Sequence, residues 1–176
     1  MQTEEQIRKE TICQVAQKMM IAARTAPKGR GTDNMHISLA DERTISDIAS
    51  FMKEKVKKEG WPHSFARDAI NILKAPYMIL MGTKIDPLRL KICGMCGYAD
   101  CDEKDKHPEI PCVFNTGDLG IAIGSAVSVA MDNRVDNRIM YTVGQAVKLM
   151  GLLPEEYKII YGIPLSVSSK NVFFDR

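Results

Sequence analysis

Apolar residues recur at helical spacing in the first part of the chain. Ile12, Val15, Ala16, Met19, Met20 and Ala23 follow one another at three- and four-residue steps, which lays one buried stripe along a helix. Pro27 and the glycines after it end that helix, and Arg24 to Asn34 reads as a loop. The alternation in "MHISLAD" predicts a strand. Thr44 followed by Asp47 resembles a capping box ahead of a second helical stripe, Ile45, Ile48, Ala49, Met52 and Val56, which Gly60 closes. Ser64 is expected to cap a shorter helix ending near Leu73. "PYMILMG", a short apolar run after a proline, predicts a buried strand.

The periodicity then fails. Residues 91–113 hold turn-formers and cysteines and read as an irregular insert. A Gly/Asp turn, "NTGD", precedes a helix expected from about Asp118. Its residues "LGIAIGSAVSVAM" are apolar on every side, which predicts a central, buried helix. Gly120, Gly124 and Ser128 form a ridge of small residues that suits close packing. "DNRVDNR" reads as the turn to another helix, which carries Met140, Val143, Val147 and Met150 and ends at Gly151. "YKIIYGIPL" predicts the last strand. Val172, Phe173 and Phe174 make the tail too apolar for solvent, so it is expected to dock, and on a partner chain. Strands and helices mix without a βαβ repeat, so the class is α+β, in a single domain over 1–176.

Composition narrows the function. The chain is 45% hydrophobic and 26% charged, with a formal net charge of +2. That balance gives no field to draw nucleic acid or a membrane surface. No apolar run approaches the ~20 residues of a membrane span. "MQTEEQIRKE" lacks the apolar core of a secretory signal. The expected compartment is the cytoplasm, where thiols stay reduced.

That compartment gives the cysteines their meaning. Four of the five, Cys93, Cys96, Cys101 and Cys112, fall between Lys91 and Cys112 in the spacing C-x2-C-x4-C-x10-C. A C-x2-C turn can bite one metal, and Gly94 and Gly97 supply its backbone freedom. Four thiolates repel one another unless a cation neutralises them, so the set points to Zn²⁺ or an iron–sulfur cluster. The other readings are a redox-active Cys93–Cys96 pair, four unrelated thiols, or His107 in place of one cysteine. Cys13 reads as a packed residue. In the loop, Arg24, Lys28 and Arg30 surround Gly29, an arrangement that suits a phosphate or is simply a solvated basic loop. Lys170 and Arg176 offer a second anion contact. No residue stands out as a general acid or base.

Three stretches carry a resemblance: "AARTAPKGRGTDN", "GDLGIAIGSAVSVAMDNRVDNRIMYTVGQA" and "YGIPLSVSSKNVFFDR". They resemble an uncharacterised family described as containing a ferredoxin domain, a label expected to come from its cysteines. More distantly, the layout is similar to the FMN-dependent nitroreductases. Ala22, Ala23, Ala26 and Pro27 match their first turn. Asp118, Gly120 and Ala122 match the start of their core helix, and Gly162 and Pro164 match their final corner. The chain lacks their arginine-rich motif before the first helix, and Gly31 and Asp33 stand near where their flavin-contacting Asn and Gln would be. The resemblance implies a central, mostly antiparallel sheet flanked by helices, a homodimer, and FMN at the dimer interface with its phosphate near Arg24 to Gly31. Two functions follow as expectations. One is an FMN oxidoreductase or electron-transfer protein with a Cys₄ metal or iron–sulfur site and a redox partner. The other is a non-enzymatic zinc-binding dimer that has lost its flavin.

Overall fold

In the computed structural model, which describes residues 1–174, a four-stranded antiparallel sheet separates two layers of helices. The elements are α1 (Glu4–Thr25), β1 (Met35–Ala40), α2 (Glu42–Glu59), α3 (His63–Ile72), β2 (Tyr77–Lys84), α4 (Cys101–Asp105), α5 (Val113–Asp132), β3 (Asp136–Asn137), α6 (Tyr141–Leu149) and β4 (Tyr157–Ser166). The strand order is β1-β2-β4-β3, with every pair antiparallel. The α+β class and the sheet flanked by helices stand as expected from the sequence.

The pleat sends alternate residues to opposite layers. Met78 and Leu80 of β2 and Ile160 of β4 join Ile45, Ile48, Met52, Ile72, Val143 and Val147 in one core, under α2, α3 and α6. Ile79, Met81, Ile163 and Leu165 join Ile12, Val15, Met19, Leu119, Ala122 and Ala126 in the other, under α1 and α5. The contact between α6 and β4 is tight. A Cβ on Gly144 would lie 1.7 Å from the Ile160 carbonyl oxygen.

Several details differ from the sequence reading. The cap of α2 is Asp41, whose carboxylate accepts the Thr44 N–H at 2.9 Å, and Thr44 lies inside the first turn. Pro62 precedes α3, so Ser64 is helical rather than a cap. The helix expected from Asp118 starts at Val113. At 20 residues, α5 meets the length and hydropathy of a membrane span after all, yet it packs along α1 and against β2 as one helix of the core. Nor is it covered on every side within the chain. Gly117, Gly120, Gly124 and Ser128 are exposed, with Ile121 at 50% and Met131 at 64%. In the tail, Phe173 is fully buried in the chain's own core, and Arg138 donates to its carbonyl at 2.6 Å. The tail's anchor is therefore intramolecular. Arg176 lies outside the described residues.

Candidate functional site

The loop after α1 folds back on that helix. The Lys28 ammonium donates to the carbonyls of Arg24 (2.6 Å), Ala26 (2.9 Å) and Ala23 (3.4 Å), so it caps the negative end of the helix dipole. Gly29 donates its N–H to both carboxylate oxygens of Asp118, at 3.1 and 3.0 Å. A side chain there would displace Leu88, whose Cδ1 would lie 2.3 Å from a Cβ. Arg30 takes a left-handed conformation (φ 54°) and donates to the Leu88 carbonyl at 3.0 Å. Arg24 pairs with Asp33 and also donates to the Met35 carbonyl. Burial would raise the Asp33 carboxyl, but Arg24 and the Met35 N–H outweigh it and hold the group below its ordinary range. All three cations expected to meet a phosphate are thus engaged with groups of the chain.

The first turns of α5 form the other side of this region. Cys112 occupies the N-cap position. Asn115, buried one turn in, pairs its side-chain amide with the backbone of Asp86. It accepts the Asp86 N–H and donates to the Asp86 carbonyl, both at 2.9 Å. The segment that leads into the cysteine insert and the insert's end are therefore tied to one helical turn. Between this turn and the loop lies a pocket of about 410 Å³. Pro27, Lys28 and Gly29 line it from the loop. Val113, Phe114, Gly117, Asp118 and Ile121 line it from α5, and Met95 from the insert. Its surface is almost wholly apolar. A Cβ on Gly117 would meet nothing within 4 Å, so the glycine leaves the pocket open.

The insert is organised by its own contacts. Gly94 (φ 69°) and Gly97 (φ 90°) shape the C-x2-C turn, closed by a hydrogen bond from Gly97 N–H to the Gly94 carbonyl at 3.1 Å. Tyr98 and His107 stack with centroids 5.1 Å apart. Arg89 pairs with Asp105 and with Asp102. Cys93, Cys96 and Cys101 are half-buried free thiols, and Cys112 is buried. Among the described residues, no three His, Cys, Asp or Glu side chains form a group that could hold a metal ion. The expected convergence of Cys93, Cys96, Cys101 and Cys112 is not seen. Cys101 opens α4, and Cys112 stands at the head of α5.

Lys170 is not brought to the loop. Its neighbours Ser168 and Asn171 line a hollow with Met131 and Arg134, at the far end of α5 from Asp118. The thirteen residues from Asp118 to Met131 span roughly 20 Å of helix. Met95, Phe114, Asn115 and Ile121 went unnoticed in the sequence. The one available signal was Met95 itself, an apolar residue inside a C-x2-C turn.

A flat apolar ring suits the pocket between Phe114, Met95 and the Pro27–Gly29 backbone. Of the cations expected near the phosphate of a flavin, Lys28 lines the pocket and donates to three carbonyls of the chain.

Similar proteins bear on both points. Residues 109–176 match the family described as "Uncharacterized protein containing a ferredoxin domain". That stretch includes only Cys112 of the four clustered cysteines. An uncharacterised protein of Archaeoglobus fulgidus is 38% identical over 165 residues, covering 90% of this chain and 88% of its own. In structure, the chain is similar to a nitroreductase with bound FMN from Desulfitobacterium hafniense, with a TM-score of 0.61, 14% identity, and coverage of 89% of this chain and 78% of that one. It is also similar to a BluB-like flavoprotein from Clostridium difficile, with a TM-score of 0.58, 20% identity, and coverage of 90% and 81%. At those identities the likeness is one of fold, and the fold is nitroreductase-like. By its sequence, the chain belongs to the family of uncharacterised proteins described as containing a ferredoxin domain.

Proposed function

We propose that the protein is a flavin-binding oxidoreductase or electron-transfer protein that works as a homodimer in a reducing compartment. The observation that carries this reading is the apolar pocket between the Pro27–Gly29 loop and the head of α5, in a fold whose solved examples include nitroreductases with bound FMN. A flavin there would supply hydride and single-electron chemistry. The chain's own part is to hold the ring against Phe114 and to shield it from water. Met95, from the cysteine turn, stands at the pocket's rim. The uncovered face of α5, with its small residues and with Ile121 and Met131, supports a second copy of the chain as its cover.

Titration of the purified protein with FMN tests the reading. Flavin fluorescence should be quenched to a saturable endpoint, and bound flavin should accept electrons from dithionite without dissociating. Absence of uptake at high FMN concentration would favour the flavin-free dimer instead.

A further inference from the structure

The cysteine turn is apolar where a surface turn is ordinarily polar. From Ile92 to Ala99 no residue is charged, and Ile92 is 91% and Met95 66% exposed. Single apolar residues on a surface are normal, but these two project from one tight turn beside the uncovered face of α5. Met95 lines the same hollow as Gly117 and Ile121, so the turn adjoins the first half of that helix. At the other end of α5 lies a mostly apolar groove of about 220 Å³. Ile7, Thr11, Ile12 and Val15 line it from α1, Val135 from the turn after α5, and Val167 from the end of β4. Its charged residues are Glu4 and Arg8, which pair with each other, and Arg134. A projection and a groove of matching polarity thus stand at opposite ends of one helix face. Gly124 is midway along that face, seven residues from both Gly117 and Met131. A two-fold axis near Gly124 sets two copies of α5 antiparallel. It carries the projection of each chain to the groove of the other, so one contact is made twice.

We infer that a second copy of the chain docks about Gly124, with the Ile92–Met95 turn of each copy seated in the groove between Ile7 and Val135 of the other. The inference rests on the homodimer reading above. It adds that Cys93 and Cys96, both half-buried within the chain, lie at the subunit junction, where the partner limits access to their thiols.

Sedimentation velocity of the intact protein and its variants reads the contact. Ile92→Asp and Ile7→Lys each set a charge against an apolar surface of the partner. Each should weaken the dimer at least about tenfold, with far-UV circular dichroism unchanged. Combining Ile92→Asp with Ile7→Lys brings opposite charges together at both contacts and should restore the dimer. Iodoacetamide gives a second readout. Cys93 and Cys96 should react several-fold faster in the Ile7→Lys monomer than in the wild-type dimer, although Ile7 stands at the far end of its own chain's α5 from them. Single variants that stay dimeric, a double variant that stays monomeric, or equal thiol reactivity would each overturn the inference and leave the homodimer reading standing. A monomeric wild-type protein would overturn both.

Discussion

The side-chain amide of Asn115 pairs with the backbone of Asp86 as one strand residue pairs with another, giving and taking one hydrogen bond at 2.9 Å each. Asn115 is buried and Asp86 lies just past β2, so this pairing fixes where the chain leaves the sheet towards the insert. Asn115→Ala strands both backbone groups of Asp86. It should cost about 2–3 kcal/mol in urea unfolding. Asn115→Asp, which can accept but not donate, should lose about as much.

The closeness of α6 to β4 yields a second expectation. Gly144→Ala forces a methyl group to within 1.7 Å of the Ile160 carbonyl unless the helix lifts from the sheet. The cost should be about 3 kcal/mol, read as a drop of roughly 10 °C in Tm. Gly120→Ala, where nothing lies within 4 Å, should leave the fold of a single chain intact and favour the helix slightly.

The open face of α5 makes the oligomeric state testable. The wild-type protein should sediment as a dimer at micromolar concentration. Gly124→Leu adds bulk to a ridge that is empty within the chain, so it should sediment as a folded monomer. An unchanged dimer would place the interface on another surface.

His36 gives a pH dependence. Burial lowers its pKa from the ordinary 6.5, the Arg24 charge lowers it further, and Glu156 acts in the opposite direction. A histidine whose folded pKa is depressed favours the fold above its unfolded pKa, and that advantage is lost as pH falls through the folded value. Stability should therefore decline as pH drops below about 6.5. His36→Gln should flatten that limb of the profile, as followed by Tm from pH 8 to pH 5.

The insert should matter little to global stability. Of residues 85–112, only Leu88, Lys104 and Cys112 are buried. A Cys93→Ser, Cys96→Ser, Cys101→Ser variant, or chelation of any metal the insert binds, should shift Tm by only a few degrees. A collapse of the fold on chelation would mean that the cysteines gather into a structural centre.

Elements with a strong period were legible in the sequence. The stripe from Ile12 to Ala23 and the alternation of β1 became what their spacing dictated. The start of α5 was hidden because "NTGD" has the composition of a turn. What makes it helical is the tertiary demand on Asn115, which no local pattern records. The contacts of the loop were hidden for a similar reason. Sequence shows that Arg24, Lys28 and Arg30 are cations, but not that each finds an acceptor in its own chain. The cysteine spacing is compatible with convergence but does not compel it. Asp118 and Pro27 marked the right neighbourhood for the pocket, while its apolar lining comes from residues far apart in the chain.

The order β1-β2-β4-β3 sets a timetable for the newborn chain. β4 is the last strand to be made, yet it lies between β2 and β3. Until residues 157–166 emerge, the buried row of β2 is open along one edge and β3 has nothing to pair with. Early segments can form helices and a β1–β2 hairpin, but both cores must wait for Ile160, Ile163 and Leu165. Assembly of the domain therefore waits for β4, and its long-range closure makes it slow. In the interval, "YMILM" presents an apolar edge open to pairing with other chains.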